Sequence, residues 1–168
     1  MVLSTLLLLL GPYVDIFISA RFGPGVNQGS HETAKKLFEE LKKPKYKLKV
    51  YMVQSNAGDD FGDMTVLGLT KAKALLAIGC KNYGANTRIN YSTYEELQYA
   101  FHNNLRIIAL QLCESWPPEP DPDIDGKGAR RNKYIFGPTL NRLDWFGRDW
   151  NTDECAAEIA NAFHNIRN

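Results

Sequence analysis

At 168 residues the chain has the size of one domain, and a domain of that length buries roughly 70% of its unfolded surface, enough to fold without a disulfide or a structural metal. Twenty Lys and Arg against nineteen Asp and Glu leave a formal charge of +1, which argues against nucleic-acid binding by bulk electrostatics, a mode that needs a basic excess. The three cysteines, Cys80, Cys113 and Cys155, are odd in number and far apart, each in an apolar stretch, so they read as buried thiols of a reducing, cytoplasmic compartment.

Residues 2–10 are almost wholly apolar, with five leucines at 6–10. No Lys or Arg precedes Arg21, as a signal peptide would want, and Pro12 and Asp15 cut the run short of the ~20 residues that span a bilayer. Residues 1–12 are therefore expected to form an apolar N-terminal extension to a domain over 13–168, and membrane attachment is not expected.

The first strand is expected at 13–20, a short apolar, aromatic and β-branched run closed by Gly23, Gly25 and Gly29. Ser30 offers an N-cap to a helix whose Ala34, Leu37, Phe38 and Leu41 fall at helical spacing, and Pro44 stops it. A second strand is expected at 48–53 and a loop at 54–63. A helix over 64–73 follows, weakened by Gly68. The third strand is expected at 74–80 and a polar loop at 81–91. The next helix begins near Ser92 with Leu97, Ala100 and Phe101 on its apolar face, and the fourth strand is expected at 105–112. Residues 116–133 read as irregular, and 133–136 as a short fifth strand. Asn151 caps the last helix, with Glu154 as its capping-box partner.

Continuous apolar strands separated by helices mean a parallel sheet covered on both faces. Right-handed crossovers over five strands give the flavodoxin-like order 2-1-3-4-5. Ligands of such sheets bind beyond the carboxyl ends of the strands where the winding reverses, here between the first and third strands. The loops meeting there are 21–29 and 81–91, together with the helix start at Ser92. Ser92-Thr93-Tyr94-Glu95 has capping-box spacing, which gives Glu95 a structural duty. Glu96 has none, and its place at the switch point makes it the candidate functional carboxylate, although paired first-turn glutamates are also common on ordinary helices. The glycine-containing loop 23–29 can cradle a phosphate or simply turn the chain; its spacing is not the dinucleotide fingerprint.

Asp15-Ile16-Phe17-Ile18-Ser19, followed by Arg21, resembles the opening strand of TIR domains, with Ala20 in place of the usual aromatic residue. Leu75-Leu76-Ala77-Ile78-Gly79-Cys80 is similar to the third TIR strand, and Tyr94-Glu95-Glu96-Leu97 to the segment opening the helix after it. The resemblance covers roughly 13–166 and rests on the order of short pieces. It implies either an enzyme that cleaves NAD to nicotinamide and ADP-ribose or a cyclic form, or a non-catalytic adaptor that acts by self-association. In the enzymes the glutamate of that helix is catalytic, and alignment places it on Glu96. Breaking the nicotinamide–ribose bond develops positive charge on the sugar, which one fixed carboxylate can stabilise without metal or other cofactor. The resemblance, taken with position at the switch point, puts Ser19, Arg21, Gly23, Gly25, Tyr91 and Ser92 around the substrate, and position alone adds Phe22 as a stacking partner for a ring; NAD is the substrate that the resemblance implies. It also implies a homo-oligomer in which 54–63 reaches a neighbour's site, and a role in immune or cell-death signalling. Many TIR enzymes carry Trp four residues before the glutamate, where this chain has Ser92. A nucleoside-processing enzyme of the same topology is the third class.

Asp121-Pro122-Asp123-Ile124-Asp125-Gly126 resembles the start of a calcium loop, but its twelfth position is Asn132 rather than a bidentate Glu. His31, His102 and His164 lack metal-ligand spacing. Lys127, Arg130, Arg131 and Lys133 read as a solvated basic loop.

Overall fold

The computed structural model describes residues 13–22, 28–53, 61–87, 92–121, 123–137 and 140–165. Within them lie strands β1 (Val14–Ser19), β2 (Val50–Tyr51), β3 (Ala72–Gly79), β4 (Arg106–Gln111) and β5 (Arg142–Asp144). The helices are α1 (Gln28–Leu41), α2 (Phe61–Lys71), α3 (Thr93–His102), α4 (Lys127–Ile135) and α5 (Thr152–His164). The strands form one parallel sheet in the order β2-β1-β3-β4-β5, a flavodoxin-like α/β architecture. The expected N-terminal extension over 1–12 lies outside the described residues.

Strands β1 and β3 sit side by side at the centre, with Phe17 opposite Leu75 and Ser19 opposite Ala77. Every residue of β1 is buried, because helices cover both faces. The side-chain alternation of a strand then divides the core. Ile16, Ile18, Leu76, Ile78 and Leu110 pack with Leu37 of α1 and Ile159 of α5. Phe17, Leu75, Ala77 and Ala109 pack with Leu69, Leu97, Ala100 and Ile135 on the other side. Each fully buried Leu or Ile contributes roughly 1.5–3 kcal/mol of transfer free energy. Gly68 has a packing reason: a Cβ there would meet the Tyr51 ring at 2.4 Å and the Phe17 ring at 2.7 Å. A residue that weakens helix propensity is what lets α2 lie close on the sheet.

Several expectations need correction. Residues 133–136 are not a strand; they belong to α4 and its end, and the fifth strand is Arg142–Asp144. The buried face of α4 is Gly128, Asn132 and Ile135, so a glycine and an amide stand where apolar periodicity would have announced a helix. The basic residues Lys127, Arg130, Arg131 and Lys133 consequently stand on a helix, not in a loop. Helix α1 begins at Gln28, which places Gly29 and Ser30 inside it. Phe101 is 39% exposed instead of lying on a buried face. Of the cysteines only Cys155 is buried; Cys80 and Cys113 are half-buried, and all three are free. At the last helix the Asn151 side chain accepts from the Glu154 N–H at 3.2 Å, as its spacing predicts. No described helix is long and apolar enough to cross a membrane.

Candidate active site

The carboxyl ends of β1 and β3 and the first turn of α3 converge on three side chains. Ser19 closes β1, Tyr83 lies in the turn after β3, and Glu96 projects from α3. The Ser19 hydroxyl donates to Glu96 Oε2 at 2.5 Å, and its Oγ lies 2.8 Å from the Tyr83 hydroxyl. Ser19 has one proton, and it is committed to the carboxylate. The phenol is therefore the donor of the second bond, giving a chain that runs from Tyr83 through Ser19 to Glu96.

This chain is buried throughout. Glu96 is 4% exposed, Ser19 1% and Tyr83 0%. Burial favours the neutral acid and raises the Glu96 carboxyl to about 7 from 4.5, while the Ser19 bond pulls it partly back. Burial likewise pushes the Tyr83 phenol well above 10, so it keeps its proton at neutral pH. Near neutrality Glu96 thus exchanges a proton within a site whose other members stay neutral, the condition found at many catalytic carboxylates.

The surroundings hold these groups rigidly. The Gly84 N–H donates to Thr93 Oγ1 at 3.0 Å, tying the turn after β3 to the start of α3. Asn132 Nδ2 of α4 donates to the Tyr83 carbonyl and to that of Pro118, both at 2.8 Å. Gly84 has φ +77, and a Cβ on it would stand 2.3 Å from Asn132 Oδ1, so only glycine suits that corner.

Of the residues expected around the site, Glu96 and Ser19 are in direct contact. Ser92 is the N-cap residue of α3, and its carbonyl accepts the Glu96 N–H at 3.0 Å. Its side chain makes no cap hydrogen bond, contrary to the expected capping box. Ser92 is itself buried, and the hydroxyl that anchors this helix start is that of Thr93. Arg21 and Phe22 follow Ser19 on the chain. Arg21 is half-buried with an Nε that has no hydrogen-bond partner. The Phe22 ring packs edge-on to His31 at 4.6 Å, so it is engaged within the domain. Burial first, and Lys35 next, lower the His31 pKa. Gly23, Gly25 and Tyr91 lie outside the described residues, as does most of 54–63.

Sequence reasoning missed Tyr83, Thr93 and Asn132. The available signal was position: Tyr83 is an aromatic residue immediately after a central strand at the switch point. The described residues hold no cluster of His, Cys, Asp and Glu suited to a metal. The would-be calcium residue Asp123 instead accepts the N–H groups of Asn86, Gly128 and Ala129, capping α4. No family model matches the sequence, and no curated protein matches it.

Proposed function

We propose that the protein cleaves the nicotinamide–ribose bond of NAD, with Glu96 as the catalytic carboxylate. The observation that supports this reading is a buried carboxylate at the switch point whose only described side-chain partner is a neutral hydroxyl, that of Ser19. The resemblance to TIR domains supplies the substrate. As the bond breaks, nicotinamide leaves neutral with the bonding electron pair, and positive charge grows on the ribose. The ionised Glu96 stabilises that charge and accepts from ribose hydroxyls more strongly in the transition state than in the ground state. Water, or the adenine ring in a cyclising enzyme, then adds to the anomeric carbon and loses a proton. Ser19 and Tyr83 fix the carboxylate, and the resemblance puts Arg21 among the residues that line the pocket or contact a neighbouring subunit.

By the same resemblance the protein works as a cytoplasmic homo-oligomer in immune or cell-death signalling. Purified protein incubated with NAD should release nicotinamide, with specific activity rising as protein concentration rises. No release across nanomolar to high micromolar protein would overturn the reading. A non-catalytic self-association module is the second reading, because a Glu96 held by Ser19 also fits a purely structural role; it predicts assembly without turnover.

A further inference from the structure

Helices α3 and α4 run alongside each other on one face of the sheet and leave a cleft of about 510 Å³ between them. That volume falls in the range of small-ligand sites. Its walls repeat at helical spacing: Tyr94, Gln98 and Phe101 from α3, and Lys127, Arg130, Arg131 and Tyr134 from α4.

The two ends of the cleft differ. At the N-terminal end the Arg131 guanidinium lies over the Tyr94 ring, 4.3 Å from its centroid. Its Nη1 is buried with no hydrogen-bond partner. Lys127 and Arg130 stand on the same wall of the cleft. Lys133 of the same helix, outside the cleft, pairs with Glu119 at 2.7 Å. At the C-terminal end Phe101 and Tyr134 meet edge to face at 5.3 Å, and they are 39% and 75% exposed. Tyr94 and Phe101 are separated by about 10 Å of helix at roughly 1.5 Å per residue.

We propose that this cleft binds a small anionic ligand bearing a planar ring, of the class of a nucleoside monophosphate. Guanidinium groups fit phosphate oxygens bidentately, and stacking on Tyr94 holds one of them in place before the ligand arrives. The N-terminal ends of both helices add favourable potential for an anion. The exposed Phe101 and Tyr134 rings offer an apolar surface on which a base can stack. Glu96 lies on the opposite side of α3, buried against β1, and does not line the cleft. The site is therefore separate from the candidate active site and does not rest on the NAD reading.

Titration calorimetry with adenosine monophosphate, inorganic phosphate and adenosine tests it on the full chain. Saturable binding of the nucleotide is expected, tighter than either phosphate or adenosine by about tenfold or more. Arg130→Ala and Tyr134→Ala replace exposed residues, so both variants should fold, and each should weaken nucleotide binding several-fold. Glu96→Gln should leave it unchanged. Absence of nucleotide binding, equal affinity in Arg130→Ala, or loss in Glu96→Gln would overturn the proposal. Phosphate binding as tightly as the nucleotide would likewise overturn it, by removing the ring from the recognition.

Discussion

Two buried carboxylates stand at opposite ends of the central strand β1, Asp15 on the strand itself and Glu96 against Ser19, and they are treated oppositely. Asp15 receives the Lys73 ammonium at 2.8 Å and the Lys49 N–H at 2.9 Å. Glu96 receives the Ser19 hydroxyl, whose own oxygen is backed by the Tyr83 phenol. The first carboxylate is matched by a cation and a backbone donor and serves to join β1, β2 and β3. The second is buried with no cation among its described hydrogen-bond partners, at a cost in stability that packing elsewhere must offset. That asymmetry is what the catalytic role proposed for Glu96 would use.

The contrast can be broken by mutation, and the largest expected effect is on stability against pH. Folding raises the Glu96 carboxyl to about 7 from 4.5. Its contribution to stability is thus fully present below about pH 4.5 and is lost as pH rises through about 7. The shift amounts to about 3 kcal/mol at roughly 1.4 kcal/mol per unit. Glu96→Gln, neutral at every pH, should match the wild type near pH 4 and exceed it by up to about 3 kcal/mol near pH 8.5. Urea unfolding of both proteins at the two pH values checks this, and parallel curves would contradict it.

Asp15→Ala should do the reverse, lowering stability by about 1–2 kcal/mol through loss of the Lys49 N–H bond and the half-exposed ion pair. Nicotinamide release by the folded fraction should be unaffected. A smaller effect sharpens the picture at the other end. Ser19→Ala removes the hydrogen bond that favours ionised Glu96, so the pH at which turnover reaches half its plateau should move upward from about 7. A pH–rate profile that stays in place would mean that the Ser19 hydroxyl does not act on the reacting carboxylate.

The parts legible in the sequence are those whose burial is two-sided. Strands β1, β3 and β4 hold the apolar runs 16–18, 74–78 and 107–110 because helices cover both faces. The edge strand β5 is Arg142-Leu143-Asp144, with both polar residues exposed, and carries no such run. Helix α4 hides its face behind Gly128 and Asn132, which earn their burial through hydrogen bonds and close approach rather than hydrophobicity. At the site, Glu96 and Ser19 follow from topology and position. Tyr83 does not, because its role depends on a contact 64 residues away in sequence. The capping box failed for a related reason: a local pattern at Ser92 and Glu95 gave way to a tertiary anchor through Thr93.

Glu95 supplies the control for the central claim, since it is the exposed neighbour of Glu96 on the same first turn of α3. Nicotinamide release from NAD should be measured for the wild type, Glu96→Gln and Glu95→Gln above pH ~8, where Glu96 is ionised. The assignment of Glu96 as the catalytic carboxylate predicts a loss of about a hundredfold or more for Glu96→Gln, equivalent to roughly 3 kcal/mol in the barrier, and near wild-type turnover for Glu95→Gln. An active Glu96→Gln protein, or equal losses in the two variants, would contradict it.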